Sequence, residues 1–360
     1  MKIFIIAGEK SGDLHGSEVV KFLFQKNNEI QIEGMGGDAL ISQGMKIFVN
    51  IRELNVMGIS DVMLRLPFFY RLYSKCKIKI LQFQPDVLLL IDYSGFNLRM
   101  AAWAKKQGIK IHYYIAPKTW AWRAKRNVDI RNHIDYLHCI FPFEEAYFKS
   151  EGINAKYVGN PTMKTVQKNV TIKDNVIALL PGSRIQELKY ILPVFSKLIM
   201  KNPHFEWVLS KVAHIDENIY KNLLGDEVFN KIELSKSTSH YLLASSKLAI
   251  ITSGTATLEA AVLGCPQIVV YKTSVLNYFI GKRFIQNEFI SLPNIILNTN
   301  IVDELIQNNL TVGNLEKCIS KLKKSHNITT LLEKYTQVKK ILGDQNPGNN
   351  VAECIIKNTV

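Results

Sequence analysis

The sequence predicts an α/β protein made of two Rossmann-like domains facing a cleft. Three observations carry this. Short apolar runs alternate with longer helical patterns along the chain, as parallel sheets covered on both faces require. The pattern restarts once. "KIFIIAGEKSGD" opens the first half as a strand and a glycine loop, and "NVIALLPGSRIQEL" repeats that order after the polar stretch Lys164–Asn175. The length, 360 residues, is long for one core and comfortable for two domains.

Taken in order, strands are expected at Lys2–Ala7, Val87–Ile91, Lys110–Ile115, Tyr136–Ile140, Val176–Leu180, Glu206–Leu209, Leu248–Ile251 and Gln267–Tyr271. Helical patterns lie between them at Ser17–Gln25, Leu98–Gln107, Glu187–Met200 and Ala256–Leu263. The domains are read as 1–167 and 168–342. The breaker cluster "GDQNPGNN" then introduces a tail helix within 343–360, for which packing back on the first domain is one option. Paired domains of this type bind ligands in the cleft beyond the carboxyl ends of their strands.

Hydrophobic residues make up 47% and charged residues 21%, the balance of a soluble globular protein. The net charge of +14 points to an anionic partner: nucleic acid, an acidic membrane or a phosphorylated substrate. A solvated lysine-rich surface accounts for it equally well. The five cysteines form no CxxC pair, which favours a reducing cytoplasm over a zinc or disulfide framework. The apolar N-terminal run is too short for a signal peptide, and nothing approaches the roughly 18 apolar residues of a membrane span.

Several stretches can carry chemistry. In "IFIIAGEKSGDLHG", Gly8, Gly12 and Gly16 suggest a phosphate cradle. The stretch lacks the GK[ST] of a P-loop and the GxGxxG spacing, and Glu9 and Asp13 bring negative charge. In "PDVLLLIDYSGFN", Asp92 ends a very apolar strand, where partial burial would tune it as a general base. It could instead cap the next turn, a part Asn97 could also take. "APKTWAWRAKRNVDIR" interleaves Trp120 and Trp122 with Lys118, Arg123, Lys125, Arg126 and Arg131. That suits a phosphate or membrane rim, a nucleic-acid patch, or one core Trp beside a solvated basic face. "NVMGISDVMLRLPFFYRLYSK" is apolar and basic, the composition of an interfacial segment or of a buried helix broken at Pro67.

In the second half, "LLPGSRIQELKY" sets Ser183 and Arg184 between a strand and a helix, and arginine's fork suits a diphosphate. In "AIITSGTATLEAAVLGCP", Ser253 or Thr255 can cap a helix whose N–H groups favour phosphate. Glu259, one turn on from Thr255, can accept hydrogen bonds from a ribose diol. An ordinary capped helix with a solvated glutamate is the alternative. His112, His133 and His138 read equally as structural residues or as ligands, and the sequence has no HExxH and no DxD.

These strings also carry a resemblance. "AGEKSGDLHG", "ELNVMGISDV", "PDVLLLIDYSGFN", "KTWAWRAKR", "LLPGSR", "SGTATLEAAVLGCP" and "SLPN" are similar, in order and nearly end to end, to the lipid-A-disaccharide synthase family. Lys10 departs from it, where a small residue is expected. The resemblance implies a GT-B type fold and an inverting transfer that joins UDP-2,3-diacylglucosamine to 2,3-diacylglucosamine 1-phosphate. It implies a peripheral enzyme on the cytoplasmic face of the inner membrane, with no metal or other cofactor and no nucleic acid partner. Asp92 then takes the proton of the acceptor's 6-hydroxyl. Ser183, Arg184, Ser253, Gly254 and Thr255 hold the diphosphate, and Glu259 the ribose. Glu9 and Ser11 join Asp92 as catalytic positions, while Gly12, Asp13 and Asn294 contact substrate. Met57, Met63, Arg65, Leu66, Phe68 and Phe69 meet acyl chains or an anionic membrane surface. On this view the first loop holds a sugar rather than a nucleotide. The rivals are another GT-B type UDP-sugar enzyme, such as a UDP-N-acetylglucosamine 2-epimerase or a peptidoglycan-type transferase, and a basic RNA-binding protein using the Trp–Arg stretch.

Overall fold

The computed structural model describes residues 1–55, 66–121, 124–164, 170–213, 215–275, 278 and 288–359. Among these, thirteen strands form two parallel sheets. The first sheet uses β1 (Lys2–Ala7), β2 (Gln31–Gly36), β3 (Lys46–Asn50), β4 (Val87–Ile91), β5 (Lys110–Tyr114), β6 (Tyr136–Cys139) and β7 (Ala155–Tyr157). Its spatial order is β3-β2-β1-β4-β5-β6-β7. The second uses β8 (Lys173–Leu180), β9 (Glu206–Ser210), β10 (Glu233–Ser235), β11 (Ser246–Thr252), β12 (Gln267–Tyr271) and β13 (Glu304–Ile306), in the order β10-β9-β8-β11-β12-β13.

The central strands are apolar along their length because helices cover both faces. Ile3 to Ala7 and Val87 to Ile91 have no exposed surface. Burying each such Ile or Leu contributes about 1.5–3 kcal/mol, which fixes these strands at the middle of the sheet. The strands that periodicity did not mark, β2, β3, β7, β10 and β13, lie towards or at the sheet edges. They are three to six residues long and include polar or glycine-rich runs such as "QIEGMG" and "ELS".

The chain divides into two units, Met1–Pro161 with Asp344–Val360, and Thr162–Gly343. The first break comes a few residues before the boundary expected at 167. The helix Pro347–Lys357 belongs to the first unit. Val351, Ala352 and Ile355 join Ile3, Ile5, Val87 and Leu89 in one core, and Gly348 packs against Glu18 of the helix Lys10–Lys26. In the second unit, the helix Ile185–Lys201 lays Leu188, Ile191, Leu192 and Phe195 on β8, β9 and β11. Among the described residues, no helix is long and apolar enough to cross a membrane.

Candidate functional site

In a doubly wound sheet the loops leaving the two strands at the reversal of strand order diverge and open a crevice. That reversal falls between β1 and β4 in the first sheet and between β8 and β11 in the second. The four loops there begin at Gly8, Asp92, Pro181 and Ser253, so they contain the stretches that sequence motifs single out.

The backbone leaving β4 is strained. Asp92 and Tyr93 take φ of +46° and +47°, a left-handed conformation that costs a residue with a Cβ about 1–3 kcal/mol. Side chains hold it there. The Asp92 carbonyl accepts from the Tyr113 hydroxyl at 2.5 Å and from the Asn97 amide at 2.8 Å, while Asp92 N–H donates to the Tyr114 carbonyl at 2.9 Å. Asn97 is fully buried and also donates to the Ile91 carbonyl at 3.2 Å. It therefore stitches the strand end rather than capping the helix Ser94–Lys106, whose N-cap is Tyr93. The Tyr93 ring lies across Gly8, where a Cβ would come within 2.3 Å of it, so only glycine lets the β1 and β4 loops meet. Burial pushes the pKa of the Asp92 carboxyl up, and Lys118 and the Tyr93 N–H offset only part of that. The result is a half-buried carboxylate with raised proton affinity in a fixed position.

Two further residues explain how Lys118 comes to be there. Trp120 is buried and its indole N–H donates to Glu144 at 2.9 Å. The other Glu144 oxygen accepts from the Ile140 and Phe141 N–H groups, both at 3.1 Å. Burial pushes Glu144 up to about 7 despite these bonds. This clamp anchors the loop that carries Lys118. It spans 24 residues and has no local sequence signal. Trp122 and Arg123 lie outside the described residues.

The N-terminal motif is not the open loop its glycines suggest. The helix begins at Lys10, with Glu9 as its N-cap, so Ser11, Gly12 and Asp13 form its first turn. Glu9 and Ser11 are exposed at the strand ends, as a substrate contact requires. Gly12 and Asp13, expected to contact substrate, are buried. Gly12 packs on Ala7 and Ile91. The Asp13 carboxylate accepts from the N–H groups of Gly37 (2.7 Å), Ala39 (3.0 Å) and Leu40 (3.2 Å), so it caps the short helix Asp38–Ser42.

A groove of about 1350 Å³ opens at Tyr93 and Ser94, the residues that follow Asp92, which is not itself among its lining residues. Its walls include Phe69, Tyr73, Phe96 and Trp103, and its lining also includes Arg71, Arg99, Lys106 and Arg126. Arg126 donates to the Ser94 hydroxyl at 3.4 Å. Phe68 packs edge-on against Phe69, with ring centroids 5.7 Å apart. Leu66 starts the helix Leu66–Phe83, while Met57, Met63 and Arg65 lie outside the described residues.

In the second unit, Gly182 has φ +102° and a Cβ there would lie 2.2 Å from Glu187 Oε2. That closeness lets Glu187 accept from the N–H groups of Ser183 (3.0 Å) and Arg184 (3.2 Å), securing the helix start. Glu187 also pairs with the Arg184 guanidinium at 3.3 Å, yet 77% of the Arg184 side chain stays exposed. Neither Ser253 nor Thr255 caps the next helix. Ser253 donates its hydroxyl to the Ile290 carbonyl at 2.7 Å, and the N-cap is Gly254, without a side-chain bond. Gly254 and Thr255 are exposed, leaving the N-terminus of Thr255–Leu263 open to an anion.

Glu259 is partnered. Its Oε2 accepts from His240 Nε2 at 3.3 Å and from the Ser239 hydroxyl at 3.5 Å. That bond raises the His240 pKa against the effect of burial. His240 stood outside every sequence motif. Asn294, also expected to contact substrate, has no exposed surface, and its amide donates to Asn300, to the Val302 carbonyl and to Glu304. Its oxygen accepts from the Ile301 and Val302 N–H groups. The amide's full capacity goes into holding the turn before β13, so in this structure it braces the fold.

Comparison with known proteins places this arrangement. The model of the family described as lipid-A-disaccharide synthetase matches residues 3–358. Lipid-A-disaccharide synthase 2 of Legionella pneumophila (strain Paris) is 31% identical over 99% of this chain and 97% of its own length. Lipid-A-disaccharide synthase of Syntrophus aciditrophicus (strain SB) is 34% identical over 85% of this chain and 84% of its own. Among solved structures, a UDP-GlcNAc 2-epimerase from Neisseria meningitidis bound to UDP-GlcNAc aligns over 99% of this chain and 100% of its own, with TM-score 0.63 at 16% identity. The glycosyltransferase of kitacinnamycin aligns over 100% and 99%, with TM-score 0.66 at 12% identity. At such low identity these two speak for the shared GT-B type fold alone. The family match along nearly the whole sequence decides the rest: the chain belongs to the lipid-A-disaccharide synthetase family, glycosyltransferases of lipid A biosynthesis.

Proposed function

We propose that this chain joins UDP-2,3-diacylglucosamine to 2,3-diacylglucosamine 1-phosphate. The products are the β-1,6-linked tetraacyl disaccharide 1-phosphate and UDP. The observation that carries the reading is Asp92, a carboxylate of raised proton affinity held at the strand reversal, followed at once by Tyr93 and Ser94, which line a groove with aromatic walls and basic side chains. Aromatic walls suit acyl chains, and the arginines suit the acceptor's phosphate.

In this mechanism Asp92 takes the proton of the 6-hydroxyl as its oxygen attacks the anomeric carbon from the face opposite UDP. The bond from that carbon to the diphosphate breaks, its electron pair leaves with UDP, and the configuration inverts. Arg184 and the open helix N-terminus at Thr255 neutralise the leaving diphosphate, so the reading needs no metal for that step. Glu259 Oε1 is the atom it gives to the ribose, since Oε2 already serves His240 and Ser239. UDP release and disaccharide formation from the two acylated glucosamines test the reaction. Asp92→Asn and Glu9→Ala cut turnover steeply while UDP binding survives; loss of UDP binding in both variants would refute the assignment.

The net charge of +14 and the arginines of the groove support a peripheral site on an anionic membrane, the cytoplasmic face of the inner membrane on this reading. Vesicle binding then falls as salt rises and weakens in Arg71→Glu. Salt-independent partitioning would remove the membrane from the reading.

A further inference from the structure

Away from both sites, one cluster of ligating side chains sits beneath the helix Pro347–Lys357. Tyr114 and His138 are register partners, and His112 lies two residues before Tyr114, so His112 and His138 project from the same face of the first sheet. That face carries Tyr114 in one core with Val351, Ala352 and Ile355 of the covering helix, which also supplies Cys354. One ligand atom each from His112, His138 and Cys354 lie within 4.8 Å of one another.

The rings are 0% and 1% exposed, and among the described residues His112 Nε2 and His138 Nδ1 have no hydrogen-bond partner. The rings share a single bond, His112 Nδ1 to His138 Nε2 at 3.0 Å. Two neutral imidazoles sharing one N–H···N bond leave a lone pair and an N–H unmet, whichever ring donates. An ion held by the inner pair, His112 Nδ1 and His138 Nε2, takes the place of that bond and leaves both outer nitrogens as N–H. The spacing also suits an ion: two nitrogens bound at 2.0–2.1 Å to a tetrahedral centre sit about 3.3 Å apart, close to the separation already present. Cys354 is half-buried, which gives an ion a way in, and Asn358 Nδ2 reaches its sulfur at 3.4 Å, the kind of outer bond that orients a ligating thiolate.

We propose that His112, His138 and Cys354 form a binding site for a borderline-soft divalent cation of the Zn²⁺ type, which fastens the helix Pro347–Lys357 to the first sheet. One nitrogen of each ring and the Cys354 thiolate bind the ion, and water takes the fourth position. The thiol proton passes to solvent, and each ring keeps its single proton on the nitrogen turned away from the ion. Nitrogen and sulfur donors select against Mg²⁺ and Ca²⁺, which take oxygen ligands. The ion acts on the fold, and the sugar transfer assigns it no step.

The full reduced chain, freed of metal, is titrated with Co²⁺ and then with Zn²⁺. The expected result is one equivalent of Co²⁺ with a thiolate-to-cobalt absorption band, displaced by Zn²⁺, and a Zn²⁺-dependent rise in Tm. Cys354→Ser loses the band and the rise, and in the parent chain Zn²⁺ shields Cys354 from alkylation. Absence of the band, or its persistence in Cys354→Ser through another of the five cysteines, overturns the proposal. So does an unchanged band in His112→Gln. Should that variant fail to fold, the Co²⁺-loaded parent chain decides by NMR: two exchangeable imidazole signals shifted by the ion support the site, and none overturns it.

Discussion

The two units start from one plan and finish it in opposite ways. Each places its site loops where a parallel sheet reverses its strand order. In the first unit the loop after β4 is locked by buried side chains, with Tyr113 and Asn97 holding Asp92 in a strained backbone. In the second, the loop after β11 offers bare backbone, with Gly254 and Thr255 exposed and no side-chain cap, and Arg184 extends into solvent. The contrast fits the roles proposed for the two sites. A general base gains from a fixed, partly dry position that raises its proton affinity. An anion site gains from N–H groups kept unspent and from a long cation free to reach.

The comparison breaks first at Asp92. Asp92→Asn should lower kcat by about 10²–10⁴-fold, read as UDP release. The same change should raise Tm at neutral pH. The pKa of Asp92 is raised in the folded state, so its ionised form destabilises the fold. That cost is absent below the unfolded pKa and grows as pH rises through the folded one. Asparagine removes it and tolerates a left-handed φ. A fall in Tm would show that the strained loop depends on the charge.

Arg184→Ala comes next. UDP affinity by calorimetry should weaken about 10–100-fold, the worth of a charge-assisted contact. Tm should hold, because the side chain is solvent-facing. A large loss of stability would mean that its ion pair with Glu187 supports the fold. Asn294→Ala sharpens the contrast from the other side: denaturant unfolding should show a loss of about 1–3 kcal/mol, with UDP affinity unchanged in the folded protein. Weaker UDP binding there would return Asn294 to the ligand.

The smallest effect is at His240. Its pKa is raised in the folded state, chiefly by its bond to Glu259, so its stabilising effect is full below the unfolded histidine value and is lost as pH rises through the folded one. His240→Gln should flatten the fall of Tm as pH rises above the ordinary histidine value. A profile identical to that of the parent chain would leave the pair no energetic weight.

The central strands were legible because burial on both faces writes an uninterrupted apolar run, as in "VLLLI". The edge strands were not, since one partner and a few residues leave little pattern. The helix starting at Lys10 was hidden by Gly12 and Gly16, poor helix formers whose lack of a side chain lets the helix sit on Ile91. Motif strings pointed to the loops of Asp92, Arg184 and Gly254 but could not show what each side chain there bonds to. Asp13 and Asn294 look like substrate ligands in one dimension, yet their hydrogen bonds go to backbone N–H groups beyond the motif, which only folding brings near. The Trp120–Glu144 clamp and the Glu259–His240 pair join residues about twenty positions apart, beyond any local spacing rule. Strain at Asp92 and Tyr93 was invisible because neither is the glycine that usually announces it.

The return of Pro347–Lys357 to the first unit has a consequence for biogenesis. On the ribosome, the segment 162–343 is synthesised whole before this helix emerges. The first unit, although translated earlier, must wait with part of one face of its sheet uncovered, while the second needs nothing made after Gly343. The order of completion is therefore the reverse of the order of synthesis. A released chain cut after Gly343 should expose apolar sheet surface in its first unit only.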